Sequence, residues 1–220
     1  MREIQLLVAT VCVGVMLTSV RAEEESPAKF NVGGKVWIVD SSWKWPDSPR
    51  TKGDGFMYGL VASVDLPKNW WVSGQFLVGE MEFGEGGQDS TMDADLFAGY
   101  SFEWVDAGFG FRFINIHEQS AQEGVEDYEC QIFGPSLYVA TGSSFGDLPV
   151  GWYAGGALMF ADLGDQESSD TKGEHFNLEG GLSFRYKQLS GTLGYRYRYR
   201  YLQDNDLTDM GPTASVSIEL

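Results

Sequence analysis

Two histidines are the residues of this chain that could serve in acid–base catalysis. His117 begins the polar run 117–120, and His175 directly follows Glu174. A histidine beside a carboxylate can act as a general base. No serine, threonine or cysteine is fixed beside either one by a recognisable motif, and a solvated loop histidine explains both runs as well. The sequence therefore predicts a protein that is not an enzyme, and a hydrolase with a histidine site is the alternative.

Three arginines at alternate positions, Arg196, Arg198 and Arg200, could take part in charge pairing. In a strand they would point to one face and repel each other unless carboxylates lie nearby. If residues 187–190 form a simple hairpin, Glu179 faces Arg198 across the ladder. The same alternation places a further set of charges on this face: Lys35, Arg112, Arg185, Asp93, Asp95, Glu103 and Glu219. Two interpretations remain open, a salt-bridge network that fills a narrow interior and the selectivity lining of a water-filled pore.

The sequence gives little support for a bound metal ion or cofactor. The acidic run 162–170 carries carboxylates that could bind Ca²⁺, but it lacks the twelve-residue ligand spacing of a calcium loop, and a solvated charge run explains it as well. No zinc, haem or nucleotide motif is present. We expect no cofactor and no bound metal.

Composition narrows the class of protein. The chain has 220 residues, a formal net charge of −17, 28 Gly, 7 Trp, 10 Tyr and 14 Phe. So negative a charge disfavours nucleic acid as a partner, because phosphate contacts need a basic surface. A mean hydropathy of −0.21 disfavours a bundle of membrane helices, which would need several apolar runs of about 20 residues.

Residues 1–22 are typical of a secretory signal peptide. Arg2 supplies a positive start, residues 6–17 are apolar, and Val20-Arg21-Ala22 ends in the small residue expected before cleavage. We therefore predict export across the inner membrane and a single domain over residues 23–220. A membrane anchor is the alternative for this segment.

The rest of the chain has a period of two, which is typical of β-strands. Tyr195, Tyr197, Tyr199 and Tyr201 alternate with the three arginines. Ten strands are predicted, with eight as the alternative if two weak segments fail to pair. They lie near 30–40, 55–65, 70–83, 91–104, 107–117, 128–140, 150–161, 174–186, 192–202 and 210–220. The predicted connectors alternate between short and longer, more polar ones, as in an up-and-down meander.

The apolar face of these strands needs an apolar solvent. In a soluble, lipocalin-like barrel, which is the alternative, this face and its aromatic side chains would fill the interior and the charged face would lie in water. A membrane barrel explains both faces, because the apolar face meets lipid and the charged face lines the lumen. Aromatic residues beside the short connectors then predict a ring at one membrane interface. The ring comprises Trp70, Trp71, Trp104, Trp152, Tyr153 and Tyr186.

With this pattern the chain resembles the Gram-negative outer-membrane β-barrel proteins, in particular the small OmpA-type and porin-like barrels. The resemblance implies an all-β fold, a closed up-and-down antiparallel transmembrane barrel in the cell outer membrane, with lipid and the barrel-assembly machinery as partners. It implies a structural, surface-interaction or porin-like role. The alternatives are a passive pore for small solutes and an outer-membrane hydrolase with a histidine site on the extracellular side.

Overall fold

The structure, a computed structural model, describes residues 28–44, 50–83, 87–119, 128–159, 174–202 and 205–220. These residues form ten β-strands and a single turn of 3₁₀-helix, Pro67–Asn69. The strands are β1 (Lys29–Lys44), β2 (Thr51–Asp65), β3 (Trp70–Phe83), β4 (Gly87–Ser101), β5 (Asp106–Gln119), β6 (Tyr128–Ser144), β7 (Val150–Met159), β8 (Glu174–Tyr186), β9 (Leu189–Leu202) and β10 (Asn205–Glu219). Among the described residues, no helix is long and apolar enough to cross a membrane.

Each strand pairs antiparallel with the next along the chain, and β10 pairs with β1, so the sheet closes into a barrel. The paired residues also give the shear of the barrel. A path that starts at Asn31 of β1 and moves from each residue to its paired residue on the next strand passes once around the barrel. It returns to β1 at Trp43, which is 43 − 31 = 12 residues further along the strand. Ten strands with this stagger tilt by about 40° from the barrel axis and enclose a backbone cylinder about 20 Å wide.

The outward face carries a continuous apolar belt. On β1 it covers the nine positions 30–38, which include the exposed side chains of Val32, Val36 and Ile38. Nine residues at this tilt rise about 23 Å, close to the apolar band of about 25 Å on membrane barrels. Exposed aromatic side chains border the belt at the end where the connectors are short: Trp70, Phe102, Trp104, Trp152 and Tyr186. Polar side chains border it at the other end, among them Asp40 and Asp54, which are paired across β1 and β2.

Most strands run further at the polar rim than the alternation predicted, and this shortens the predicted connectors 41–54, 84–90 and 203–209. Residues 84–90 and 203–209 were predicted as long polar connectors, but β4 begins at Gly87 and β10 at Asn205. The intervals between β3 and β4 and between β9 and β10 are therefore 84–86 and 203–204. Backbone pairing continues past the apolar belt because a closed barrel leaves no unpaired edge at which a polar strand end would peel away. The predicted signal peptide and the acidic run 162–170 lie outside the described residues.

Candidate functional site: the charged interior of the barrel

The interior divides into two halves with different side chains. In the half toward the polar rim, large side chains fill the cross-section. One apolar cluster contains Trp37, Val39, Met57, Leu77 and Met81; a second contains Ile114, Ile116, Ile132, Met159 and Leu207. Between these clusters lie the side chains of Arg112, Arg196, Arg198 and Arg200, all 0–1% exposed. Toward the short connectors many lumenal positions are Gly, Ser or Thr, and the large side chains there are aromatic: Trp71, Phe97, Tyr138 and Tyr153.

Asp93 on β4 is the centre of the charged cluster. Arg112 Nη2 donates to both of its carboxylate oxygens, at 2.9 Å to Oδ1 and 2.7 Å to Oδ2. Arg196 Nη2 and Arg198 Nη1 cross the lumen and donate to Oδ2 at 3.0 Å each. One fully buried carboxylate thus accepts hydrogen bonds from three guanidinium groups on two different strands. The charges hold opposite walls of the barrel together, because none of the four can be left alone in a dry interior.

Asp209 on β10 is the second anchor. Its Oδ2 accepts from Arg198 Nε at 2.8 Å and from Arg200 Nη2 at 2.6 Å, and its Oδ1 accepts from Ser41 Oγ at 2.6 Å. Arg198 therefore bridges the two aspartates. The alternation had left Asp209 in a connector, yet it continues the lumenal series of odd positions on β10, so extending the strand by a few residues would have found it.

The ring of Trp37 on β1 packs against two of the arginines of β9. The guanidinium carbons of Arg196 and Arg198 lie 4.6 and 4.9 Å from its ring centroid, within the range of cation–π attraction. The indole is fully buried. Nothing in the alternation distinguishes it from the other tryptophans, since its position opposite β9 depends on how the barrel closes.

A separate ion pair lies below this cluster, toward the short connectors. Lys35 Nζ lies 2.5 Å from Glu179 Oε2, and Tyr153 Oη donates to Glu179 Oε1 at 3.0 Å. The two charged side chains are 10% and 14% exposed. Glu179 was predicted to face Arg198, but the structure pairs it with Arg196. The turn uses only Lys187 and Gln188, with Lys187 at φ 55°, so the register differs by two residues from the predicted hairpin.

The predicted charges separate into a central set and an outlying set. Arg112, Arg196, Arg198, Arg200, Asp93 and Glu179 meet as described, and Asp95 accepts from Gln75 Nε2 at 2.7 Å. Glu103 does not face the lumen: β4 ends at Ser101, and Glu103 is exposed in the following turn. Arg185 is exposed at the end of β8, and Glu219 pairs with Lys29 at 3.4 Å at the open end of the barrel. The outlying charges sit where a strand ends, because alternation fixes the face of a residue and not its depth.

Two of the six predicted interface aromatics point inward. Trp70 is 54% exposed on the outer face, whereas Trp71 is 7% exposed and packs inside against Phe97. Tyr153 likewise faces the lumen through its bond to Glu179. Adjacent residues of a strand project from opposite faces, so Trp70 and Trp71, or Trp152 and Tyr153, cannot both meet lipid. The remaining predicted members, Trp70, Trp104, Trp152 and Tyr186, are exposed.

The histidines lie on different faces of the barrel. His175 is buried in the lumen, opposite Arg200 in the ladder, so it does not form the extracellular-side site considered from the sequence. His117 pairs with Ser90 on the outward series of β5. The described residues include no group of three or more His, Cys, Asp or Glu side chains arranged to hold a metal ion.

The sequence matches no protein-family model and no curated protein. Solved structures do resemble the barrel. The outer-membrane protease OmpT from Escherichia coli aligns with a TM-score of 0.61 over 92% of this chain and 100% of its own, at 7% identity. This chain has the fold of the outer-membrane β-barrels. The translocator domain of the autotransporter NalP from Neisseria meningitidis aligns with a TM-score of 0.48 over 98% of both chains, at 10% identity, and Neisserial surface protein A with 0.42 over 87% and 97%, at 11%.

The likeness to these solved structures is one of fold. The charged cluster around Asp93 and Asp209 is built from this chain's own residues, and what it does has to be derived from their geometry. Among the side chains that the structure describes between the two ends of the lumen, five are cationic and five are carboxylates. The cations are Lys35, Arg112, Arg196, Arg198 and Arg200; the carboxylates are Asp89, Asp93, Asp95, Glu179 and Asp209.

Proposed function

We propose that this chain is a protein of the Gram-negative outer membrane whose lumen is closed, and that it acts as a structural or surface-interaction barrel. The apolar belt with its aromatic border supports the membrane location, because a face of this height and composition needs lipid as its solvent. Lipid and the barrel-assembly machinery are the partners that such a location implies. The predicted signal peptide supplies the export that this location requires.

The observation that carries the closed lumen is the burial of the central guanidinium groups. Arg196, Arg198 and Arg200 have no accessible surface although they lie at the centre of a barrel about 20 Å wide. A continuous water path past them would expose their charged ends. Barrels near this strand number are narrow enough for side chains to fill, and here they do fill one half of the interior. The interpretation as a salt-bridge network is therefore favoured over the passive pore.

A recording across a planar lipid bilayer tests the closed lumen. We expect the refolded protein to insert without producing discrete conductance steps. Folding is verified in the same preparation by heat-modifiable migration on gels, so that silence cannot come from unfolded protein. Reproducible conductance steps that change ion selectivity in Arg198→Ala would contradict the proposal and favour the pore.

We also propose that the barrel is not an enzyme. Of its two histidines, His175 is enclosed among arginines and has no access to a large substrate. An assay with casein and with phospholipid vesicles should show no turnover above a boiled control. Turnover that disappears in His117→Ala would establish the hydrolase alternative.

A further inference from the structure

The half of the lumen nearest the short connectors is lined by small side chains. Using the shear of twelve to order the lumenal positions by height, the layer below Lys35 consists mainly of glycine and serine. Its small members are Gly33, Ser73, Gly108, Gly155, Gly181, Gly194 and Ser215. The side chains of Trp71 and Tyr153 lie over Gly108 and Gly194. The other glycines and serines reach at most about 3 Å from a backbone wall that lies about 10 Å from the axis, so this layer is only partly filled.

The solvent exposure of the lumenal side chains falls sharply from the layer of Lys35 to the next layer toward the polar rim. The open part of the lumen therefore has a blind end at this height. Lys35 and Glu179 keep 10% and 14% exposure, and Gln75 and Asp95 are also partly accessible. One layer higher, Arg196 and Trp37 have none. Since all of these side chains face inward, the residual exposure belongs to a space inside the barrel. This space, the vestibule, opens at the short-connector end and ends at the arginine cluster.

The lining of this vestibule offers hydrogen bonds on one side and aromatic surface on the other. On β9 and β10, Ser190 and Ser217 hydroxyls lie 2.8 Å apart, and Thr192 and Ser215 hydroxyls 2.7 Å apart. Opposite them, the partly exposed ring of Tyr138 packs against Trp71 and Phe97. Its centroid lies 5.5 Å from that of Trp71 and 5.3 Å from that of Phe97.

The charges at the blind end are already paired. Lys35 and Glu179 neutralise each other, and Asp95, which accepts from the Gln75 amide, lies directly opposite Arg112 in the ladder. The vestibule therefore has no unbalanced charge to attract an ion. What it offers is a set of hydroxyl, amide and carboxylate groups facing an aromatic ring, in a concave site with one entrance, which is the arrangement of a small-ligand pocket.

We propose that this vestibule binds a small neutral polyhydroxylated solute, of the size and chemistry of a monosaccharide, which enters from the short-connector end. The carboxylate of Glu179 accepts hydroxyl hydrogen bonds, the serines and threonines satisfy the rest of the ring substituents, and the less polar face of the sugar lies on Tyr138. The closed upper half prevents passage, so the site captures the solute without transporting it.

Cysteine labelling tests the vestibule itself. In a Cys130→Ser background, Ser215→Cys should react with a charged methanethiosulfonate reagent in detergent micelles. Thr213→Cys, two residues along the same face and fully buried, should react at least about tenfold more slowly. Equal rates at the two positions would show that there is no blind end and would overturn the proposal, whatever the bilayer recordings show.

Saturation-transfer NMR tests the ligand class, with glucose and N-acetylglucosamine as probes and choline as a cationic comparison. We expect transfer to a sugar and none to choline. Ser215→Trp, which fills the vestibule, should abolish it, and Val216→Trp, the neighbour on the lipid face, should leave it unchanged. If Ser215→Trp does not fold, Glu179→Gln provides the second test and should weaken binding about tenfold, as expected for loss of a charged acceptor. Binding of choline alone, of neither sugar, or with no effect of these variants would refute the proposal.

Discussion

Replacing Asp93 by Asn should destabilise the charged cluster while leaving the volume of the side chain almost unchanged. In the native barrel this carboxylate accepts from Arg112, Arg196 and Arg198, and all four groups are buried. Removing one partner of a buried ion pair typically costs about 3–5 kcal/mol, because the remaining charge is left uncompensated. Here three guanidinium groups lose their shared acceptor, and of these three only Arg198 is also bound by Asp209. We therefore expect the free energy of unfolding to fall by at least about 3–5 kcal/mol.

The assay is equilibrium unfolding by urea in lipid vesicles, followed by tryptophan fluorescence and by heat-modifiable migration. Asp95→Asn is the matched control, since Asp95 lies two residues away on the same face and accepts only the Gln75 amide among its bonds described above. That variant should lose about 1 kcal/mol, the usual contribution of one hydrogen bond. If the two variants lose the same amount, or if Asp93→Asn loses less than about 1 kcal/mol, the cluster does not hold the barrel walls together.

Three further substitutions examine the other contacts, each by the same unfolding measurement. Trp37→Leu removes the ring beneath two arginines and should cost about 3–5 kcal/mol through the lost packing and cation–π contacts; a loss under 1 kcal/mol would contradict that role. Gly108→Ala places a methyl group 2.7 Å from a buried tryptophan ring and should cost about 1–3 kcal/mol, whereas Gly34→Ala, whose nearest neighbour is 3.8 Å away, should be nearly neutral. Leu60→Arg, at the middle of the belt, should cost about 2–4 kcal/mol in a bilayer and Leu189→Arg, near the aromatic border, about 0–1; the reverse order would misplace the membrane.

Most of the fold follows from alternation alone. All ten strands were predicted close to their observed positions, and the face of each residue in β9 was predicted correctly, because a strand with one face in lipid and one in a polar lumen has to alternate strictly. The errors fall where alternation carries no information. Adjacent aromatics such as Trp70 and Trp71 were both placed at the interface because each lies beside a short connector, although only one of two neighbours can face outward.

The site could be predicted as a set of charges but not as an arrangement. The pairing of Glu179 with Arg196 depends on a two-residue turn at Lys187 and Gln188, and a shift of two residues keeps every side chain on its face. The contact of Asp93 with Arg196 and Arg198 joins strands that lie far apart in the ladder order, so it depends on barrel closure and shear. Neither the length of this turn nor the closure and shear of the barrel is encoded in the pattern of any single strand.

The most direct test of the membrane-barrel assignment is whether residues 23–220 fold without an amphiphile. Refolding from urea should be followed in buffer alone, in detergent micelles and in lipid vesicles by far-ultraviolet circular dichroism and heat-modifiable migration. We expect a β-rich, heat-modifiable barrel only in micelles and vesicles, because the belt around Leu60 and Leu193 needs an apolar solvent. A monomer that folds to the same state in buffer alone would show that this face does not meet lipid.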